Sequence, residues 1–354
     1  MQIELPISKS IANRLLILQA IHRDGLMTVS CDMPEDVRIM SEAIRLLGER
    51  REARIDLGNC GTAMRFLTAY CAQLEGQTII LDGIERMHHR PIGQLVAALR
   101  EIGADIAYLG EEGFPPLRIK GCILDKHRIV TLNNPQSTQF VSALLLIGAN
   151  VQTNSTSPYI TLTREIIERY LQRVRRANYS EQSERSTAQR STVSIANEIE
   201  KDWSSAAFWY EYVALHGGEL FLPGLSRDSL QGDKVVADIF THLGVHTTYT
   251  AEGVIISSSP LHPTPYTLHQ DFSSCPDLYP AVALTCERLG IELHATGTES
   301  LPIKESDRLR AVRDHRTDHD HRMAMALLIA GYEVDDTACI SKSYPQFLEQ
   351  FSQL

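Results

Sequence analysis

Several short stretches of this chain place a hydroxyl, an amide, an acid or a cation, singly or together, at the start of an apolar run. Ser8-Lys9-Ser10 ends an extended apolar entry and opens an amphipathic run from Ile11 to Ile21, with Arg14 one turn on from Ser10. The free backbone N–H groups and the positive dipole end of a helix favour phosphate or carboxylate there, and Lys9 and Arg14 add full charges. The same device returns at Gly58-Asn59-Cys60-Gly61-Thr62 with Arg65, at Arg90-Pro91, and at Pro135-Gln136-Ser137-Thr138-Gln139. It returns again at Lys304-Glu305-Ser306-Asp307 before Arg308, and at Asp320-His321-Arg322. An ordinary Ser or Asp cap explains any one case. It does not explain so many cations at the positive dipole end, where a cation is disfavoured unless an anion joins it. A multiply anionic small molecule is the expected ligand.

The elements that must hold these residues follow from periodicity. Val37, Met40, Ala43, Ile44 and Leu47 keep helical spacing up to Gly48, Ala63 to Ala72 forms a second helix, and Leu95, Ala98, Leu99 and Ile102 share one helix face closed by Gly103. Thr78 to Leu81 reads as a strand, and Asp105 to Tyr108 with Leu117 to Ile119 as a strand pair. Met27 to Cys31 alternates like a further short strand. Helices are expected over Phe140 to Gly148, from Asp202 to Gly217, over Lys234 to Leu243, over Leu278 to Leu289 behind Asp277, and over Met323 to Ala330. Strand, polar turn, helix, glycine and strand thus recur, which predicts a pseudo-repeated α/β architecture.

Composition bounds the rest. A chain of 354 residues, 43% hydrophobic, can bury more than one core, and its net charge of -10 argues against a nucleic-acid or anionic-membrane surface. Cys31, Cys60, Cys71, Cys122, Cys275, Cys286 and Cys339 are scattered without a C-x-x-C pair, so neither a disulfide framework nor a zinc site is indicated and a reducing cytoplasm is expected. The run Leu15 to Leu18 is too short and too polar in its flanks to be a signal peptide or a membrane span. Asp314-His315 and Asp318-His319-Asp320-His321 are poor chelates as adjacent pairs, and no metal site is assigned. Two stretches break the pattern. Gln172 to Thr192 is polar enough to be an exposed or disordered excursion, and Ala311 to His319 is too short and charged for another strand and helix.

Taken together and in order, these stretches resemble the 5-enolpyruvylshikimate-3-phosphate synthase family. The matching segments are Leu5 to Arg14 (LPISKSIANR), Gly58 to Arg65 (GNCGTAMR), Arg90 to Gly93, Ser137 to Phe140, Ser204 to Ala206, Gln231 to Asp233, Pro276-Asp277, Lys304 to Leu309 (KESDRL), Asp320 to Met325 (DHRMAM) and Ser341 to Pro345. The resemblance implies an α/β fold of two similar lobes, each of three βαβαββ units, with helix N-termini facing a cleft that closes on binding. By that analogy residues 9 to 201 form one lobe, mainly on the shikimate-phosphate side, and residues 1 to 8 with 202 to 354 the other, with elements missing or degraded near 172–192 and 311–319. A shortened lobe is expected to cost stability.

The implied reaction moves the enolpyruvyl group of phosphoenolpyruvate to the 5-hydroxyl of shikimate 3-phosphate and releases phosphate, without metal or organic cofactor. The family's proton acceptor falls on Asp277, its proton donor on Glu305, and its lysine touching both substrates on Lys9. The shikimate-phosphate contacts fall on Lys9, Ser10, Arg14, Ser137, Thr138, Gln139, Thr156, Asp277, Ser300 and Lys304, with Thr156 and Ser300 standing where the family has serine and asparagine. The phosphoenolpyruvate contacts fall on Lys9, Gly61, Arg90, Gln139, Arg308, Arg322 and Lys342. Glyphosate sensitivity, small-molecule substrates as the only partners and a monomeric cytoplasmic enzyme go with that assignment. A non-catalytic binding relative and the UDP-N-acetylglucosamine enolpyruvyl transferases are the alternatives. The latter's loop cysteine has no counterpart here, and Arg90-Pro91-Ile92-Gly93 favours the shikimate branch.

Overall fold

The computed structural model describes residues 1–183, 199–259 and 267–354, with only the backbone given for 177–183. The chain divides into two units. The first comprises Ser10–Ser30 and Asp36–Ile199, and the second Met1–Lys9, Cys31–Glu35 and Glu200–Leu354.

In the first unit α1 (Lys9–His22) and α2 (Glu35–Glu49) lead into β1 (Glu52–Asp56), α3 (Gly61–Ala72), β2 (Thr78–Asp82), the single turn α4 (Glu85–His88), α5 (Gly93–Glu101), β3 (Asp105–Tyr108) and β4 (Leu117–Lys120). The sheet order is β1-β2-β4-β3, with β1 and β2 parallel and β4 antiparallel to both its neighbours. This is one complete βαβαββ arrangement. Ile79, Leu81, Leu117 and Ile119 turn inward onto α3 and α5 residues such as Phe66, Leu67, Leu95 and Leu99, all nearly inaccessible. Next come β5 (Ile129–Thr131), α6 (Thr138–Leu146), β6 (Asn150–Gln152), parallel to β5, and α7 (Pro158–Ser183). Arg14 ties three helices together: its guanidinium donates from Nε to the Thr163 hydroxyl at 2.7 Å, from Nη2 to Ser142 Oγ at 3.2 Å and the Tyr159 carbonyl at 3.4 Å, and from Nη1 to the Ser10 carbonyl at 2.7 Å.

Two expectations change here. Met27 to Cys31 is no strand, because the Met27 N–H is taken by Gln19 Oε1 at 3.1 Å and the segment folds back on α1 instead of joining a sheet. Gln172 to Ser183 continue α7 and are not an irregular excursion. Arg, Gln and Glu are good helix formers, and Arg169 with Glu165 and Gln172 with Glu168 bond one turn apart. The rest of that stretch, 184–192, lies outside the described residues.

In the second unit α8 (Trp203–His216) is the central helix, capped by Asp202, whose carboxylate accepts the Ser204 and Ser205 N–H groups. Around it lie β7 (Glu219–Pro223), α9 (Val236–Thr241), β8 (Val245–Tyr249) and β9 (Gly253–Ser258) in the order β7-β9-β8. The N-terminal residues complete that sheet. Gln2 bridges Phe221 in parallel, and the Ile3 N–H donates to the Phe221 carbonyl at 2.9 Å. Then follow β10 (Thr267–Asp271), α10 (Tyr279–Leu289), β11 (Glu292–Thr296), parallel to β10, α11 (Arg308–Asp314), α12 (His321–Ile329) and α13 (Phe347–Phe351). Trp203, Phe208, Trp209, Tyr210, Phe240, Phe272, Tyr344 and Phe347 form an aromatic core, each such side chain stabilising the unit by about 1.5–3 kcal/mol. Trp209 Nε1 donates to the Tyr344 hydroxyl at 3.1 Å, and that hydroxyl donates to the Glu4 carbonyl, so both chain ends are sewn to α8.

The stretch 311–319 is also corrected: it holds most of a helix, α11. What the segment lacks is strand, since His315, in the left-handed region with φ 49°, ends α11 and only five residues separate Asp314 and Asp320 as α12's cap. No helix among the described residues is long and apolar enough to cross a membrane.

Glu211 lies mid-α8 with no exposure, and neither carboxylate oxygen has a hydrogen-bond partner among the described residues. Burial alone pushes this carboxyl well above its ordinary range, so it is protonated in the folded chain. The folded state then holds a proton the unfolded chain releases above its own pKa, and stability falls as pH rises from there towards the folded value. Glu211→Met is expected to stabilise the chain at pH 8 by about 1–3 kcal/mol and to flatten that decline, read by urea unfolding at pH 5 and pH 8.

Candidate functional site

The second unit gathers its acids and cations into one connected cluster. Asp277, at the approach to α10, accepts from Arg308 Nη1 at 2.8 Å and Lys304 Nζ at 3.4 Å on one oxygen, and from Arg322 Nη2 at 2.9 Å on the other. Arg308 also donates from Nε to Asp320 at 2.8 Å. Asp320 is the hub of the local fold. One of its oxygens caps α12 through the Arg322 N–H at 2.9 Å, and the other takes Arg308 and the Ser306 hydroxyl. Beside it Glu305 receives Lys342 Nζ at 3.0 Å on one oxygen and His321 Nδ1 at 2.7 Å on the other.

The placement of the cations runs against helix electrostatics. Arg308 is the first residue of α11, Arg322 the second of α12 and Lys9 the first of α1. Buried carboxylates make this tolerable, and the carboxylates are perturbed in turn. Burial would raise the Asp277 carboxyl, but Arg322, then Lys304 and Arg308, outweigh it and hold it well below the usual range. Burial would likewise raise Glu305, and His321, Lys342 and Lys9 together pull it well below. Asp233, bonded by the Ser204 hydroxyl, is pushed up to about 6 by burial and then by the nearby Asp277 charge. His321 is buried, which pushes its imidazole down against the pull of Glu305, and its Nε2 has no hydrogen-bond partner among the described residues.

Glu305, Asp320 and His321 bring three ligand atoms within 4.8 Å of one another, which is close enough for a metal. The charge around them opposes one: Lys342 occupies Glu305, Arg308 occupies Asp320, and Lys9 adds a third positive field. The set is better matched to an anion that displaces carboxylates from cations.

The first unit carries a smaller cationic patch. The Arg90 guanidinium lies flat against the start of α3, donating to the Asn59 carbonyl at 3.1 Å and side-chain oxygen at 3.3 Å. A Cβ on Gly61 would stand 2.4 Å from Arg90 Nη2 and 2.6 Å from its Cζ. Only glycine leaves the guanidinium in this seat, since a Cβ would displace the end of the Arg90 side chain, and no unusual φ is involved. Arg65 is buried beneath, donating to the Gly61 carbonyl at 3.2 Å and the Pro91 carbonyl at 2.9 Å; burial and then the Arg90 charge hold its guanidinium well below its ordinary value. Two guanidinium groups so close favour an anion. Alongside, Gln139 Nε2 donates to the Thr62 hydroxyl at 3.0 Å, and Ser137 caps α6 by accepting the Gln139 N–H at 3.3 Å.

The residues singled out from sequence therefore fall into two sets. Lys9, Asp277, Lys304, Glu305, Arg308, Arg322 and Lys342 meet in the second unit, and Gly61, Arg90, Ser137, Thr138 and Gln139 lie at the starts of α3 and α6 or just before α5 in the first. Ser10 and Arg14 are bonded to each other, and Arg14 is only 3% exposed with its donors turned to neutral protein oxygens; burial pushes it down to about 10. Thr156 is exposed two residues ahead of α7, and Ser300 stands before the turn Leu301–Ile303; neither is tied by a side-chain bond to either cluster among the described residues. Sequence reasoning named Arg65 among the helix-start cations but gave it no contact, and passed over Asp320, His321 and Asp233 as working parts. Asp320 and Arg65 had a signal, an acid at a cap and a cation in a first turn, whereas the coupling of Asp233 to Asp277 needs the fold.

Comparison with known proteins places the chain. The family model described as EPSP synthase (3-phosphoshikimate 1-carboxyvinyltransferase) matches residues 1–315 and 314–351. A 3-phosphoshikimate 1-carboxyvinyltransferase from Bacteroides fragilis is 35% identical over 391 aligned positions, covering 98% of this chain and 93% of that one. One from Cellvibrio japonicus is 31% identical, with 99% and 96% covered. An EPSP synthase structure from Acinetobacter baumannii, 19% identical, superposes with a TM-score of 0.65 over 100% of this chain and 95% of that one, which supports the mixed α/β fold. The alignment is longer than the chain's 354 residues, so the relatives hold residues this chain lacks, and the family match breaks between α11 and α12.

Gly61→Ala must push the Arg90 guanidinium out of its seat. The expected outcome is binding of the cognate phosphate-bearing anion weakened by about tenfold, with the melting temperature unchanged, measured by calorimetry and thermal unfolding on the same preparation.

Proposed function

The chain belongs to the EPSP synthase (3-phosphoshikimate 1-carboxyvinyltransferase) family, and we propose that it performs that family's shikimate-pathway reaction with Asp277 as base and Glu305 as acid. The enolpyruvyl group of phosphoenolpyruvate passes to the 5-hydroxyl of shikimate 3-phosphate and phosphate leaves. The observation that carries the residue assignment is the pairing of both carboxylates with the very cations an incoming phosphate and carboxylate would claim.

Those pairs account for how the chemistry is switched on. With no substrate, Asp277 is shared by three cations and is a poor base, and Glu305, pressed by His321, Lys342 and Lys9, is ionised and has no proton to give. An anion bound by Arg308 and Arg322 removes the charges that depress Asp277, and one that engages Lys342 and Lys9 does the same for Glu305. Both carboxyls then rise, Asp277 towards accepting a proton and Glu305 towards holding one. The 5-hydroxyl oxygen attacks C2 of phosphoenolpyruvate as its proton goes to Asp277, while Glu305 protonates the methylene carbon C3. In the second step C3 returns a proton to Glu305, the C2–O bond to phosphate breaks, and the double bond reforms in the product. Asp277's proton leaves with phosphate or solvent, which restores the ionised acceptor. Arg308, Arg322, Lys342 and Lys9 stabilise the charge on the departing phosphate. Arg90 and Gln139 are assigned to phosphoenolpyruvate, and Ser137 and Thr138 to shikimate 3-phosphate. Arg14 acts on the latter by fixing α1 against α6 and α7, and Ser10, Thr156 and Ser300 are outlying contributors.

Phosphate release is expected only with both substrates present. Asp277→Asn and Lys9→Met should each lower kcat by at least about 100-fold while Asp277→Asn leaves binding of phosphoenolpyruvate intact, and glyphosate should inhibit competitively with phosphoenolpyruvate. Binding of shikimate 3-phosphate without any turnover would replace this reading by a non-catalytic one.

A further inference from the structure

Two sheets among the described residues share one order, and the two-stranded β5-β6 and β10-β11 stop short of it, the former next to residues outside those described. In the first unit β1 and β2 are parallel and β2 is flanked on its far side by antiparallel β4. In the second unit the N-terminal residues lie parallel to β7, and β7 is flanked by antiparallel β9. β10 and β11 begin the same arrangement, parallel strands joined through α10, and α11 follows as the next helix. The hairpin that should come next is missing, because α12 begins where it would start. Residues 267–354 are all described, and among them the only strands are β10 and β11. Thus β11 occupies the place of β2 and β7 with nothing paired to its far edge among the described residues. Apart from the ladder, Glu292–Thr296 makes one backbone bond among the described residues, from the Phe272 N–H to the Thr296 carbonyl at 2.9 Å, and that comes from the β10 side.

We infer that the free edge of β11 pairs with the same edge of a second copy of this chain, antiparallel and across a two-fold axis at His294. The topology sets the direction, since the strands that flank β2 and β7 are antiparallel. The side chains set the register. Pairing Glu292-Leu293-His294-Ala295-Thr296 with itself about His294 aligns all five residues and puts Leu293 opposite Ala295, both half-buried and packed on the core. On the outer face Glu292 meets Thr296, so the edge's acid faces a hydroxyl and never its own copy. A one-residue slip would set apolar against polar side chains along the whole edge. His294, exposed and packed beside His269 at 5.1 Å between ring centres, would meet its own counterpart and extend the pair to a row of four rings. A self-complementary edge of this kind gives a closed dimer and leaves no further edge open on that side. Five residues are a short interface, so the association is weak.

Sedimentation equilibrium of the full chain from about 1 to 200 µM tests this. The expected result is a mass that moves from 39.6 kDa towards twice that value with concentration. His294→Lys sets two ammonium groups face to face at the axis and should shift the midpoint at least tenfold higher, while His294→Thr should keep the dimer. Amide exchange at Glu292–Thr296 should slow with concentration in the wild type and not in His294→Lys. A constant 39.6 kDa, or association indifferent to His294→Lys, overturns the proposal.

Discussion

The second unit depends on a single electrostatic arrangement: cations set at the wrong ends of helices and made stable by buried carboxylates. Arg308 and Arg322 begin α11 and α12, where the dipole repels them, and Asp277 and Asp320 answer both. Asp320 is also the cap of α12, so the bond that starts the helix and the bond that neutralises Arg308 leave the same carboxyl. Removing Asp277 would take from Arg322 the carboxylate its guanidinium is paired with, and breaking a buried pair in this way costs about 3–5 kcal/mol. The cluster is therefore a structural element and a loaded site at once.

In the proposed reaction this doubling also accounts for how a largely buried set does acid–base chemistry. Asp277 and Glu305 are both held ionised by the cations around them, the groups to which the proposed reaction assigns the substrates. The cations cannot serve the substrates and the carboxylates equally. Substrate binding is thus also the event that retunes the acid and the base, with no separate switch.

The shortened last repeat leaves this machinery in place. The loss falls after α11, whose N-terminus carries Arg308, and before Asp320, which caps α12. Both helix starts survive, and the cost lands on the sheet, at β11. A tight turn with Asp318 at φ 46° and His319 at φ 60° joins α11 to α12, held by Thr317 bonding Asp335 and His319 bonding Asp336.

The sequence alone determined the helix starts, because capping residues, cations and apolar spacing are local properties. Asp202, Ser137 and Asp320 cap as their residue types require, and α3, α8 and α10 run close to where periodicity puts them. The ordered motifs also determined the family, since each records a backbone or ligand constraint that survives 35% identity. Tertiary structure decided what those residues touch. Arg14 reads in sequence as a ligand contact, and folding turns it into a clamp between helices, because its partners Ser142, Tyr159 and Thr163 lie more than a hundred residues away. Met27–Cys31 alternates correctly for a strand and finds no sheet, and Gln172–Ser183 has a polar composition that only the continuation of α7 makes helical. The pairing of Asp277 with Arg308, Arg322 and Lys304 is likewise a product of the fold. Charge balance and strand pairing join residues that are remote in the chain, and spacing along a sequence carries no record of them.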